Sequence, residues 1–190
     1  MLAISYADAS PAVDHARDLL REYFAWVLEL ASESADAPTF QGYEQELANL
    51  PGPYAPSRPN GAWAGGGRLP SLPAPYVPPG GRLFIATWNG QPAGCIALKA
   101  HDGSTGELKR LYVRPAFRGL QIGKSLVTAL IEEARRCGYR RLKLDSHISM
   151  TNAHAIYRGA GFKDVDAPPD FPEPFRPIVV FMELELEPGS

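Results

Sequence analysis

Arg118-Gly119-Leu120-Gln121-Ile122-Gly123-Lys124-Ser125 is the stretch of this 190-residue chain best equipped for chemistry. It is basic and Gly-bearing, it follows the β-rich run Glu107 to Val113 and a turn at Pro115, and it opens into an apolar period of helical spacing. A helix start offers N–H groups without intrahelical partners and the positive end of the helix dipole. The segment is therefore expected to hold an anion, and a phosphate-bearing ligand is the natural occupant. A nucleotide P-loop fails on spacing: it needs Gly five residues before Gly123, where Arg118 stands, and Gly119 is one residue too close. Cys95 and Cys137 lie far apart and the four histidines have no ligand spacing, so no metal is expected. Cys95 sits within Ala93-Gly94-Cys95-Ile96-Ala97 with no activating base beside it, which argues against a nucleophilic thiol.

The elements that must position this loop can be read in order. Leu2 to Tyr6 reads as a strand. Ser10-Pro11 reads as a helix start with a capping hydroxyl, and Val13, Ala16, Leu20, Phe24 and Val27 share a helical face running to about Leu30. Phe40 to Leu50 reads as a weaker helix ended by Pro51-Gly52. Residues 51 to 81 are dense in Pro and Gly: either a solvated excursion or a flap near a substrate opening that offers Tyr54, Trp63 and Tyr76. Leu83 to Trp88, Asn89-Gly90 and Pro92 to Lys99 form an expected hairpin with a type I′ turn, and Glu107 to Val113 is the third strand of a meander. Ile122, Leu126, Leu130 and Ala134 mark a helix from about Gly119 to Cys137, stopped at Gly138. A strand at Arg141 to Asp145, a helix near Thr151 to Gly159 and strands near Phe162 to Val165 and Ile178 to Glu187 follow. The Pro-rich connection 166 to 177 carries Asp170 and Glu173, which either attract a cationic amine or keep the loop solvated.

This order predicts an α/β (α+β) fold: a mixed, mostly antiparallel sheet with helices on both faces, in a single domain over 1–190 with a loop insertion at about 51–81. Its 45% hydrophobic and 21% charged content is that of a globular chain. A net charge of −2 argues against nucleic acid, and no apolar run approaches the ~20 residues that span a bilayer. Met1 to Asp8 has no basic region and does not read as a signal peptide, and the cysteines read as reduced thiols of a cytoplasmic protein.

Several blocks in order resemble the GNAT N-acetyltransferase superfamily. Arg118 to Gly123 is similar to its [Gln/Arg]-x-x-Gly-x-[Gly/Ala] pattern, with Gln121 at the middle Gly position. Glu107 to Val113 resembles the family's central strand, and Ala153-His154-Ala155-Ile156-Tyr157-Arg158-Gly159-Ala160-Gly161-Phe162 resembles its A-x-x-x-Y-x-x-x-G-F block. The resemblance covers about the last hundred residues and implies a GNAT-like layout in which the central and following strands splay around acetyl-CoA.

What the resemblance implies for each residue can be set beside the chemistry. Transfer from a thioester to an amine needs the donor held, the ammonium deprotonated and the leaving thiolate protonated. Arg118, Gly119, Leu120, Gln121, Ile122, Gly123, Lys124 and Ser125 would hold the diphosphate, and the backbone of Leu111, Tyr112 and Val113 would receive the pantetheine arm. Tyr157 would be the general acid. Glu107 would be the base, directly or through water, the alternative being a strand-end Glu in a surface pair; a regular strand would put it on one face with Lys109 and Leu111. His154 is a weaker candidate base, read rather as a helical surface His. Met150 stands where the family often has a cofactor-touching Asn. The implied activity is N-acetylation of a small-molecule primary amine by direct attack in a ternary complex. The alternative is a CoA-binding module without turnover. Monomer and homodimer both stay open.

Overall fold

The computed structural model of the chain describes residues 1–32, 43–54 and 81–186. Within them the chain runs β1 (Leu2–Tyr6), α1 (Ala12–Ser32), α2 (Tyr43–Ala48), β2 (Arg82–Trp88), β3 (Gln91–Ala100), β4 (Thr105–Val113), α3 (Ile122–Arg136), β5 (Arg141–His147), α4 (Thr151–Gly159), β6 (Lys163–Val165) and β7 (Val179–Glu185). The strands form one seven-stranded sheet in the order β1-β2-β3-β4-β5-β7-β6. Every neighbouring pair is antiparallel except β4 and β5, so the expected meander, mixed sheet and strand–helix–strand unit are all present.

Helices cover both faces, as the two apolar stripes require. Ile122, Leu126, Leu130 and Ala134 of α3 are fully or nearly fully buried and join Ile96, Leu98, Leu142 and Met182 in one core layer. Val13, Ala16, Leu20, Phe24 and Val27 of α1 join Leu83, Ile85, Cys95 and Ala97 in the other. Period-two strand residues feed the two layers alternately, the expected behaviour of a sheet buried on both sides. Asn89 and Gly90 both adopt positive φ, 50° and 81°, which is the type I′ geometry that joins β2 to β3. Among the described residues no helix is long and apolar enough to cross a membrane.

Several boundaries differ from the sequence expectation. The Ser10 hydroxyl bonds the Asp14 carboxylate at 2.9 Å, and α1 begins only at Ala12. The second helix shrinks to Tyr43–Ala48; residues 40–42 lie outside the described set, as do Trp63, Tyr76 and all of 55–80. Tyr54 belongs to no flap: it is buried in the α1-side core and donates to Glu46 at 2.6 Å. Helix α3 starts at Ile122 rather than Gly119, because Gly119 (φ 84°) and Gln121 (φ 58°) are left-handed and break the helical run. Strand β5 extends through Ser146 to His147, and a 3-10 turn at Glu173–Ile178 occupies part of the 166–177 connection.

Strand β4 holds the feature that most shapes the site. Its register against β3 slips between Cys95↔Tyr112 and Ala97↔Lys109, and Arg110 in the slip has φ 60°. This is a β-bulge, and it reverses the alternation beyond it. Leu108, Leu111 and Val113 all belong to the α3-side core, while Arg110 and Tyr112 face α1. Leu111 therefore lies opposite Glu107 and Lys109, not beside them. The strained Arg110 is held from the α1 side. Its guanidinium bonds Glu46 twice, at 2.9 and 2.7 Å, and lies 4.8 Å from the Phe24 ring centroid.

Candidate active site

Strands β4 and β5 pair only over Thr105–Glu107 with Arg141–Lys143. Beyond that rung β4 stays with β3, and β5 stays with β7 up to His147. The two facing edges separate into a wedge, and backbone groups there have no strand across from them. Two cavities occupy it.

The larger, about 600 Å³, is bordered by Leu111–Val113 on one side and by Arg118, Gly119 and Gln121–Lys124 on the other, with α4 closing it at Asn152 and Ile156. Nine of the eleven expected cofactor residues thus meet around one space. Leu120 and Ser125 do not border it: Leu120 is exposed, and the Ser125 N–H and hydroxyl both bond back to the Gln121 carbonyl. Gln121 is the N-cap of α3, with no side-chain hydrogen bond capping the helix. The first-turn amides are left for a ligand, the arrangement that binds phosphate. Gly123 permits close packing there: a Cβ would stand 3.1 Å from Ile156 Cδ1. The Arg118 guanidinium donates from Nε to the Val113 carbonyl at 3.2 Å and lies 5.7 Å from the Trp26 ring centroid.

The smaller cavity, about 130 Å³, lies on the α1 side of the wedge, between Tyr23 and Trp26 of α1, Lys109 of β4, Asp145 and His147 of β5, and Tyr157 of α4. Tyr157 is buried, and among the described residues no group hydrogen-bonds its hydroxyl. Burial, with smaller contributions from Tyr23 and Asp145, raises its phenol well above the ordinary value. Lys109 Nζ lies 3.0 Å from Glu107 Oε1 and 3.0 Å from Asp145 Oδ1, bridging the wedge just past its last paired rung. Burial alone would lower the Lys109 pKa; the two carboxylates outweigh it and hold the ammonium above its usual range. Glu107 itself borders neither cavity.

His147 Nδ1 lies 2.7 Å from the Ser149 hydroxyl, and its Nε2 is buried with no partner among the described residues. His154 is not a surface residue: it turns inward, 4% exposed, with Nε2 3.1 Å from Ser146 Oγ. Burial first, then Arg158, lowers its pKa. Burial pushes the Cys95 thiol up to about 12, which leaves it no thiolate at neutral pH. Tyr23, Trp26 and Asp145 had no sequence signal of function. Tyr23 and Trp26 flank the apolar stripe of α1, and Asp145 ends an ordinary strand run.

Comparison with known proteins adds four findings. The family model described as Acetyltransferase (GNAT) family matches residues 56–162. The chain is 32% identical to an uncharacterized N-acetyltransferase of Schizosaccharomyces pombe over 88% of each chain. It is 36% identical to an IAA acetyltransferase of Azospirillum brasilense, over 55% of this chain and 68% of that one. Its fold is similar to that of an acetyltransferase from Streptococcus agalactiae, with TM-score 0.64, 19% identity and coverage of 97% of this chain and 98% of that one.

Proposed function

The chain belongs to the GNAT acetyltransferase family and is an acyl-CoA-dependent acetyltransferase with acetyl-CoA as co-substrate; from that premise we propose that it acetylates the primary amine of a small molecule, by direct attack in a ternary complex. The observation that carries this reading is the shared border of the two cavities. Trp26, Leu111, Met150 and Ala153 line both, so a donor in the larger and an acceptor in the smaller would meet without an intermediate carrier. The raised Cys95 pKa supports direct attack over a thioester on the enzyme.

Each residue then has a task. The amides of Gln121–Lys124 and the charges of Arg118 and Lys124 hold the diphosphate. The free edge of Leu111–Val113 takes the amide-bearing arm as a strand would. Acetyl-CoA supplies an activated acyl group on a leaving thiolate. Tyr157, protonated across the working pH range, gives its proton to that sulfur as the C–S bond breaks and regains one from the second proton the amine nitrogen sheds. Asp145 on the acceptor wall draws the ammonium in, and Glu107, behind Lys109, receives the displaced proton through water. The small acceptor cavity supports a small amine over a protein chain. All described strands share one sheet, which supports one catalytic domain, and the two free cysteines support a cytoplasmic location.

The test is calorimetry with CoA followed by thioester consumption with ethanolamine, glycinamide and 1,4-diaminobutane. Binding of CoA and consumption stimulated by an amine are expected. CoA binding with no amine-stimulated consumption would favour a cofactor-binding module, and no CoA binding at millimolar concentration would end the reading.

A further inference from the structure

An acyl group passed between the two cavities must lie against the four residues that border both: Trp26, Leu111, Met150 and Ala153. All four are apolar, so this junction can discriminate acyl groups by size and not by charge. Two of them, Trp26 and Met150, are held from behind. The Trp26 ring centroid lies 6.3 Å from those of Tyr23 and Tyr112, and Arg118 stacks on it. The Met150 sulfur accepts from the Ser146 hydroxyl at 3.6 Å, and Ser146 Oγ in turn lies 3.1 Å from His154. Met150 is the N-cap of α4 and Ala153 stands three residues on, one turn along the same helix face. The wall therefore presents a large pinned side chain next to a small one.

We propose that Trp26, Met150 and Ala153 form an acyl wall that restricts the donor to acetyl. Ala153 leaves room for the acetyl methyl, and Met150 closes the space a longer chain would enter. This rests on the two-cavity reading of the site, and it gives Met150 a task that the polar residue expected there from the family pattern could not perform. A pinned thioether cannot move aside without losing its Ser146 contact, and each methylene added against a filled apolar wall is disfavoured by about 10- to 200-fold.

The experiment measures calorimetric affinities of CoA, acetyl-CoA, propionyl-CoA and butyryl-CoA for the wild-type chain, Met150→Ala and Ala153→Val. The wild type is expected to favour acetyl-CoA over butyryl-CoA, which carries two more methylenes, by about 100-fold or more. Met150→Ala is expected to reduce that preference by about tenfold. Ala153→Val, which adds two methyl groups to the wall, is expected to weaken acetyl-CoA relative to CoA itself. Equal acetyl-to-butyryl ratios in the wild type and Met150→Ala, with CoA bound by both, would overturn the wall while leaving the donor site intact. If Met150→Ala does not fold, an Ala153→Val chain with an unchanged ratio of acetyl-CoA to CoA affinity overturns it instead. Loss of CoA binding by the wild type would overturn the donor reading, and the wall with it.

Discussion

A phenol enclosed by apolar neighbours keeps its proton, and Tyr157 is enclosed on nearly all sides. Its raised pKa means that the neutral acid form persists well past the ordinary phenol value of about 10. Tyr157→Phe should lower kcat by about 10²-fold, the usual contribution of a positioned acid, and the loss is read from steady-state thioester consumption. Calorimetry on the same variant should find CoA still bound, because the residues around the donor cavity are unchanged and Tyr157 meets the cofactor only at its sulfur. At this scale the donor half of the site is legible in the sequence, because its residues are contiguous and ordered around one loop–helix junction. The acceptor half is not. Of it only Tyr157 is marked, by the Ala153–Phe162 block; Tyr23, Lys109 and Asp145 are separated from one another by dozens of residues, and no local pattern marks that they will meet it. Gln121 illustrates the middle case. Its position is readable, but its φ of 58° emerges only in three dimensions.

The bulge at Arg110 is an element-scale device with a residue-scale anchor. It turns Leu111 toward the donor cavity while leaving Lys109 to face the acceptor side, so one strand serves both cavities. Its left-handed backbone would cost a non-Gly residue roughly 1–3 kcal/mol in isolation. The Glu46 pair, the Phe24 ring and the Tyr54–Glu46 hydrogen bond over-determine it. Arg110→Ala should therefore destabilise the fold by about 3–5 kcal/mol, since it strands the largely buried Glu46 carboxylate. Urea denaturation followed by circular dichroism checks this. A loss under about 1 kcal/mol would mean that the pair is solvated and screened. No local pattern announces this bulge, because Lys-Arg-Leu-Tyr-Val reads as plain strand; only the partner strand and α2 reveal why Arg110 departs from it.

For the whole molecule, the apolar periods of α1 and α3 and the hairpin turn are enough to foresee a sheet covered on both faces. Such patterns record which side of an element is buried, and that is what sets the layers. The details that periodicity does not encode are the ones missed: the inward turn of His154, the extension of β5, the contraction of α2. His154 also bears on global stability. Its folded pKa lies below the unfolded value of about 6.5, so the unfolded chain takes up the proton first as pH falls. Its stabilising contribution is complete above about 6.5 and is lost as pH drops below that value. The urea midpoint should fall between pH 7.5 and 5.5, and His154→Gln should flatten that fall.

The wedge between β4 and β5 has a mechanical reading as well. Three register pairs and the Lys109 bridge join the block β1–β4 to the block β5–β7 along the sheet, and the arm of β4 from Glu107 to Val113, paired to β3 but not to β5, is a lever about 20 Å long. A tilt of only about 5° at that rung would carry its tip by about 2 Å, roughly half the spacing between paired strands. The width of the wedge is thus governed at its closed end, by Gly106 and its neighbours, which adjoin Leu108 and Lys109 of the smaller cavity.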